Sequence, residues 1–129
     1  VSPRAGRLRG RWAERAAAVH LLLRGYRIRA RNWTGGGGEL DLVASRGGTL
    51  VFVEVKMRSA STFGGPAMAV DTRKRRRLIR AAGAYLTRFG LWEMPARFDV
   101  VTVERRSRFP WWRVEHLVGA FRPDLGRRM

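Results

Sequence analysis

The chain has 129 residues, 45% of them hydrophobic, a formal charge of +17 and no cysteine. That length and composition predict one domain with its own core rather than a disordered chain, and the missing cysteines exclude a disulfide framework and a thiolate zinc site. The longest leucine run, Leu21-Leu22-Leu23, falls far short of the roughly 18 apolar residues that span a bilayer and is too short for a signal peptide; the expected address is the cytoplasm, with no membrane partner.

Residues 1–10 are basic and carry Pro3, Gly6 and Gly10, which predicts a flexible arm. Arg11 to Arg24 reads as a helix rich in Ala and Leu, stopped by Gly25. Trp12, Ala16, Val19 and Leu23 form one stripe on it at helical spacing. Glu14 lies on a different arc, beside Ala17, Ala18 and Leu21, small enough together to let the helix approach a sheet. Tyr26 to Arg31 alternates apolar and basic residues, the period of a half-buried strand. The glycine run Gly35–Gly38 is able to pass close to a ligand.

Two short strands follow, Gly38–Val43 and Val51–Lys56, and the turn signal Arg46-Gly47-Gly48 between them predicts a hairpin. Ser59 to Ala67 reads as a loop. A helix is expected from about Asp71 to Phe89, with Arg73, Arg76, Arg77 and Arg80 within one arc and Leu78, Ala82, Tyr85, Leu86 and Phe89 opposite. Arg75 falls on the apolar side. Arg97–Glu104 and Trp111–Val118 are the last strands, and 122–129 is a basic tail, so one domain spans 11–121. Helices separated by strands predict an α/β layer fold with a mixed sheet.

The charge is uneven. Residues 1–31 hold nine arginines and one acid, net +8; residues 72–129 hold fifteen basic and five acidic residues, net +10. Residues 32–71 hold three basic and four acidic residues, net −1. A chain this basic points to a polyanion, most often nucleic acid. Acids gathered where a phosphate would dock repel it unless a cation intervenes.

Those acids sit at useful positions. In a strand, alternate side chains share a face, so Glu39 pairs with Asp41 and Glu54 with Lys56, and the hairpin brings Asp41 towards Glu54. Asp41 and Glu54 are hard oxygen ligands suited to Mg²⁺ or Mn²⁺, and the Val55 carbonyl offers a third protein oxygen. Lys56 is placed to hold or deprotonate an attacking water, or to neutralise developing charge. The plain alternative is an exposed charged strand face with Glu54 and Lys56 as a same-face pair. Against it stand the large apolar neighbours of Glu54, where an uncompensated acid is costly. Glu39 reads as a ligand, a second acid behind the site, or a charge capping the glycine loop. Glu14 either reaches the site or is a solvated partner of Arg11 or Arg15. His20 and His116, far apart in sequence, suggest no shared metal or base role. No Lys-Ser or Lys-Thr follows the glycine run, which excludes a P-loop. Phe63, Trp33, Trp92, Trp111 and Trp112 are read mainly as packing residues, some available to stack on bases.

Arg24-Gly25-Tyr26-Arg27-Ile28, Asn32-Trp33, Gly38-Glu39-Leu40-Asp41-Leu42-Val43, Val51 through Arg58, Phe63-Gly64, Ala69-Val70, Lys74, Ala84-Tyr85-Leu86 and Arg97 through Val101 together resemble the YraN-like bacterial family, over about residues 10–121. That family is similar to the restriction-endonuclease-like superfamily and, within it, to archaeal Holliday-junction resolvases. The resemblance implies an αβββαβ core with helices flanking a mixed sheet. It implies a metal site with the motif Asp at Asp41, the E-x-K pair at Glu54 and Lys56, and the helix acid at Glu14. The often-seen Pro before the motif Asp is Leu40 here. The expected activity is Mg²⁺- or Mn²⁺-dependent hydrolysis of DNA, branched or otherwise structured, by a monomer or homodimer. Phosphate contacts come from Arg73, Lys74, Arg76, Arg77 and Arg80. The alternative is a nucleic-acid-binding module of the same fold without turnover, on DNA or structured RNA.

Overall fold

The computed structural model describes residues 3–58 and 71–121, with the backbone alone for 3–10. The expected loop at 59–67, with Phe63, and the expected tail at 122–129 lie outside the described residues. The elements are α1 (Pro3–Leu23), β1 (Arg27–Gly35), β2 (Gly38–Arg46), β3 (Thr49–Arg58), α2 (Thr72–Phe89), β4 (Ala96–Arg105) and β5 (Trp112–Phe121). The five strands form one sheet in sequence order. β1–β2, β2–β3 and β4–β5 pair antiparallel, while β3–β4 is parallel and is joined through α2. This is the αβββαβ order with a mixed sheet, as expected. One start differs: α1 begins at Pro3 rather than Arg11, so 3–10 continue the helix instead of forming an arm.

Among the described residues, each face of the sheet carries one helix and one core. On one face Leu40, Val43, Leu50, Phe52, Phe98 and Val100 pack under Leu78, Ala82, Tyr85 and Leu86 of α2. On the other, Leu42, Ala44, Val51, Val53, Val101 and Val103 pack under Ala13, Ala17 and Leu21 of α1. Phe89, expected inside, is 48% exposed at the end of α2. The Trp12–Leu23 stripe on α1 is split: Ala16 is buried and Trp12 half-buried. Val19 and Leu23 are exposed, and the alanine arc around Glu14 faces the sheet. Small side chains let the helix axis come close, and that is what buries Glu14.

α2 is bounded by clear local signals. Asp71 is its N-cap and accepts the Lys74 N–H at 2.9 Å, and Gly90 closes it in the left-handed conformation. Arg75, on the apolar side, stays exposed by lying over the Phe121 ring, 4.9 Å from its centroid. The glycine run approaches this helix closely. A Cβ on Gly36 would stand 2.6 Å from the Arg80 carbonyl oxygen, and one on Gly38 would collide with the Arg77 carbonyl. The bare backbone at these two positions draws the β1–β2 turn against α2.

Candidate metal and nucleic-acid site

The close approach of the β1–β2 turn to α2 makes a cleft of about 650 Å³ at one end of the sheet. Glu39, Asp41 and Glu54 line it from the strands; Lys74, Arg77 and Arg80 line it from the helix. β2 and β3 pair up to Leu42↔Val53, and beyond that point the Asp41 side chain takes over the ladder. Its Oδ2 accepts the Val55 N–H at 2.9 Å. In an extended strand the N–H and C=O of one residue point to the same side, so the Val55 carbonyl is directed towards β2 as well.

The strand bearing Asp41 is irregular. Leu40 and Leu42, two residues apart, bury in opposite cores, so strict alternation fails between them. Across β1, Arg31 pairs with Leu42 and Trp33 with Leu40, and Asn32 between them has φ +50°. Asn tolerates this left-handed conformation better than most residues. Glu39 and Asp41 both line the cleft as the alternation argument expected, although the strand between them is twisted.

The electrostatics are those of a site short of positive charge. Burial pushes the Asp41 carboxyl up to about 8, helped by a hydrogen bond and like charge from Glu54. Glu54 is 3% exposed. Its Oε2 lies 2.5 Å from Lys74 Nζ, yet off the hydrogen-bonding direction, so it gains charge pairing without a formed hydrogen bond. Burial pulls the Lys74 ammonium down, but the Glu54 carboxylate outweighs this and holds it above its ordinary range.

Glu14 reaches the same neighbourhood from the other face. Burial raises its pKa; a hydrogen bond with Asn32 opposes this, and the nearby charges of Asp41 and Glu39 add to it. Its Oε1 is buried without a hydrogen-bond partner. Among the described residues no three or more acidic or imidazole groups stand close enough together to hold a metal ion. The donors present are therefore Asp41 and Glu54, with the Val55 carbonyl directed to the same side. Two close, buried carboxyl groups, whose mutual repulsion and burial raise the Asp41 pKa, fit a hard divalent cation.

The remaining expected residues sort by position. Lys56 is half-buried on β3 and does not line the cleft; its charge helps lower the Asp71 pKa, after the larger effect of the Lys74 N–H. Of the helix cations, Lys74, Arg77 and Arg80 line the cleft, while Arg73 and Arg76 stand exposed outside it. The ammonium on Glu54 is thus that of Lys74, whose position as the third residue of the helix gave no hint of a carboxylate partner. Asn32 was also missed as the partner of Glu14; a non-glycine residue at a left-handed position has no sequence mark of its own.

A model of the uncharacterised protein family UPF0102 matches residues 13–103. A UPF0102 protein from Bacteroides thetaiotaomicron is 44% identical over 116 residues, covering 90% of this chain and 93% of its own length. One from Symbiobacterium thermophilum is 53% identical over 95 residues, 74% of this chain and 80% of its own. One from Oleidesulfovibrio alaskensis is 46% identical over 101 residues, 78% of this chain, and the match spans only 50% of that relative.

Proposed function

The chain belongs to the UPF0102 family, and we propose that it is a Mg²⁺- or Mn²⁺-dependent endonuclease acting on DNA, including branched DNA, in the cytoplasm. One observation carries the reading. Two carboxyl groups, Asp41 raised to about 8 and the buried Glu54 held against an exposed lysine, sit in a cleft walled by Lys74, Arg77 and Arg80. A pure phosphate-binding surface gains nothing from acids at that place.

A divalent cation, when bound, would supply Lewis-acid polarisation of the phosphate and a lower pKa for the attacking water. Asp41, Glu54 and the Val55 carbonyl would hold it. Lys74, Arg77 and Arg80 would hold the phosphodiester over the acids, and Lys56, which stands outside the cleft on β3, would have to reach in to orient the attacking water or neutralise developing charge. Glu14 would act from behind through Asn32 and Asp41, and Glu39 from the rim. DNA would be gripped mainly by phosphate contacts from α2, with little base readout. Among the described residues, no helix is long and apolar enough to cross a membrane.

The test is incubation of the protein with labelled linear, flapped and four-way DNA, with Mg²⁺, Mn²⁺ or EDTA. Cleavage that needs the cation and disappears in Asp41→Asn and Glu54→Gln supports the reading. A second reading, a binding module of nuclease fold for DNA or structured RNA, is favoured by the lack of a third acidic group within metal-binding distance among the described residues. Tight binding with no cation-dependent cleavage of any substrate selects it.

A further inference from the structure

The β4–β5 turn lies at the same end of the sheet as the carboxylate cleft. β3 and β4 run parallel, with Glu54 opposite Val100 and Arg58 opposite Glu104. Arg105 therefore stands about 17 Å further along the strands than Glu54, at roughly 3.3 Å per residue. Around it gather side chains the cleft does not use. Phe109 is 81% exposed, Trp111 56% and Trp112 42%. The Trp12 ring of α1 meets Trp112 edge-on at 6.4 Å, and Phe109 meets Trp111 at 5.2 Å. The Arg105 guanidinium lies over Trp12, 5.2 Å from the ring centroid. A recess of about 230 Å³ opens among Trp12, Arg105, Arg106, Trp111 and Trp112.

Three large rings held in water are costly for a surface with no partner. Their setting narrows the partner. Arg105, Arg106, Arg108 and Arg113 are all exposed, with Glu104 the one acid among the residues lining the neighbouring groove. Arginine beside exposed aromatic faces suits a phosphate backbone whose bases are free to stack. A paired duplex hides its base faces; an unpaired strand offers them. α1 links the two places. Trp12 and Glu14, two residues apart, point about 200° apart on the helix: one towards Trp112, the other towards Asn32 and Asp41.

We infer that the rings of Trp12, Phe109, Trp111 and Trp112, with Arg105, Arg106 and Arg108, form a stacking surface for an unpaired DNA strand. The inference rests on the nuclease reading and gives its substrate a feature: single-stranded DNA beside the scissile bond. The two are separable by measuring affinity for an oligothymidine strand and for a duplex of equal length, together with cleavage of flapped DNA. Phe109→Ala and Trp111→Ala, at exposed positions, should each weaken oligothymidine binding by about tenfold while duplex affinity is unchanged. Trp111→Phe should restore most of the loss. Arg106→Ala should weaken both ligands alike and lower the salt slope by about one unit or less.

Equal loss on both ligands in Phe109→Ala and Trp111→Ala, or no loss on either, overturns the stacking surface while leaving cleavage by wild type intact. A change confined to oligomeric state by sedimentation overturns it in favour of a protein interface. Wild-type protein that binds neither ligand and cleaves nothing overturns the nuclease reading as well.

Discussion

Two buried acids occupy adjacent rungs of the β3–β4 ladder and live in opposite circumstances. Val53 pairs with Asp99, and Glu54 with Val100. Asp99 faces the α1 side, where its carboxylate accepts Arg97 Nε at 3.0 Å, Arg97 Nη2 at 3.3 Å and the Gly119 N–H at 2.9 Å, and lies 2.7 Å from His116 Nε2. Burial alone would raise its pKa, but hydrogen bonds from His116 and Arg97 outweigh it, and the group is held below its ordinary range. An ionised carboxylate only accepts, so His116 Nε2 carries the proton here. Arg97 is fixed in turn by the Tyr26 hydroxyl at 2.7 Å. Glu54, on the α2 side, has an orphaned oxygen and a lysine, and its neighbour Asp41 is pushed up to about 8. The fold satisfies one buried acid completely and leaves the other cluster short. A completed network reads as structural; under the proposed function, the unfinished one is where a cation and a phosphate would bind.

The comparison breaks most visibly in chemistry. If the unfinished cluster is catalytic and Lys56 reaches into it from β3, Lys56→Ala should lower cleavage by a factor on the order of 10² or more, with metal binding and the fold retained. Lys56→Ala cleaving like wild type, with DNA and Mn²⁺ in excess, would make Lys56 a charge neighbour of Asp71 and nothing more.

Stability gives the next largest contrast. Asp99→Asn leaves Arg97 and His116 facing a neutral amide in a buried place, and should cost about 3 kcal/mol in urea unfolding at neutral pH. Asp41→Asn mimics the protonated carboxyl without the cost of taking up a proton on folding at that pH, and should raise stability by up to about 3 kcal/mol without divalent ions. Equal losses at both positions would erase the distinction.

The same difference has a sign in pH. Asp41 rises from 3.8 when unfolded to about 8 when folded, and Glu14 is raised as well. Their protonated forms favour the folded state, so this stability is present below about pH 4 and lost as pH rises towards about 8. Without divalent ions the slope should reach about 1 kcal/mol per pH unit within that window. Asp99, held low, acts the other way, and its contribution is lost only as pH falls below the ordinary carboxylate range. Chemical denaturation across pH 5–8 reads the slope, and Asp41→Asn should flatten it. A flat wild-type profile would mean that Asp41 is already ionised and paired.

Much of this was legible in the residues. Alternation placed the acids near one another, and the cation arc of α2 emerged from helical spacing. The finished and unfinished networks were not distinguishable, because they depend on which partners arrive from distant segments. Asp99 owes its bonds to Arg97, His116 and the Gly119 backbone, and a lone Asp within a strand announces none of them. The small arc of Ala17 and Ala18 beside Glu14 was readable as the one able to approach the sheet, and it is buried; which carboxylates Glu14 then meets was not. The glycines at 36 and 38 were readable as permissive backbone, but what they approach, the carbonyls of α2, is a property of the packed whole.

The smallest effect concerns Lys74, and its sign separates the two acids most sharply. Removing Arg97 or His116 from Asp99 takes a hydrogen-bonded partner from a satisfied carboxylate. Removing the ammonium from Lys74 takes away a side chain that is 54% exposed and sits against Glu54 Oε2 without a formed hydrogen bond. An exposed lysine gives up much of its Coulomb gain to water and to the entropy of its own chain. It also stands on an oxygen that a divalent cation needs. Lys74→Ala should therefore bind Mn²⁺ a few-fold more tightly by calorimetry in the absence of DNA, a gain of about 1 kcal/mol or less, while its affinity for DNA falls by the loss of one phosphate contact. Mn²⁺ binding that weakens instead would show that Lys74 orients Glu54, and would place that acid nearer to the completed network of Asp99 than to an open site.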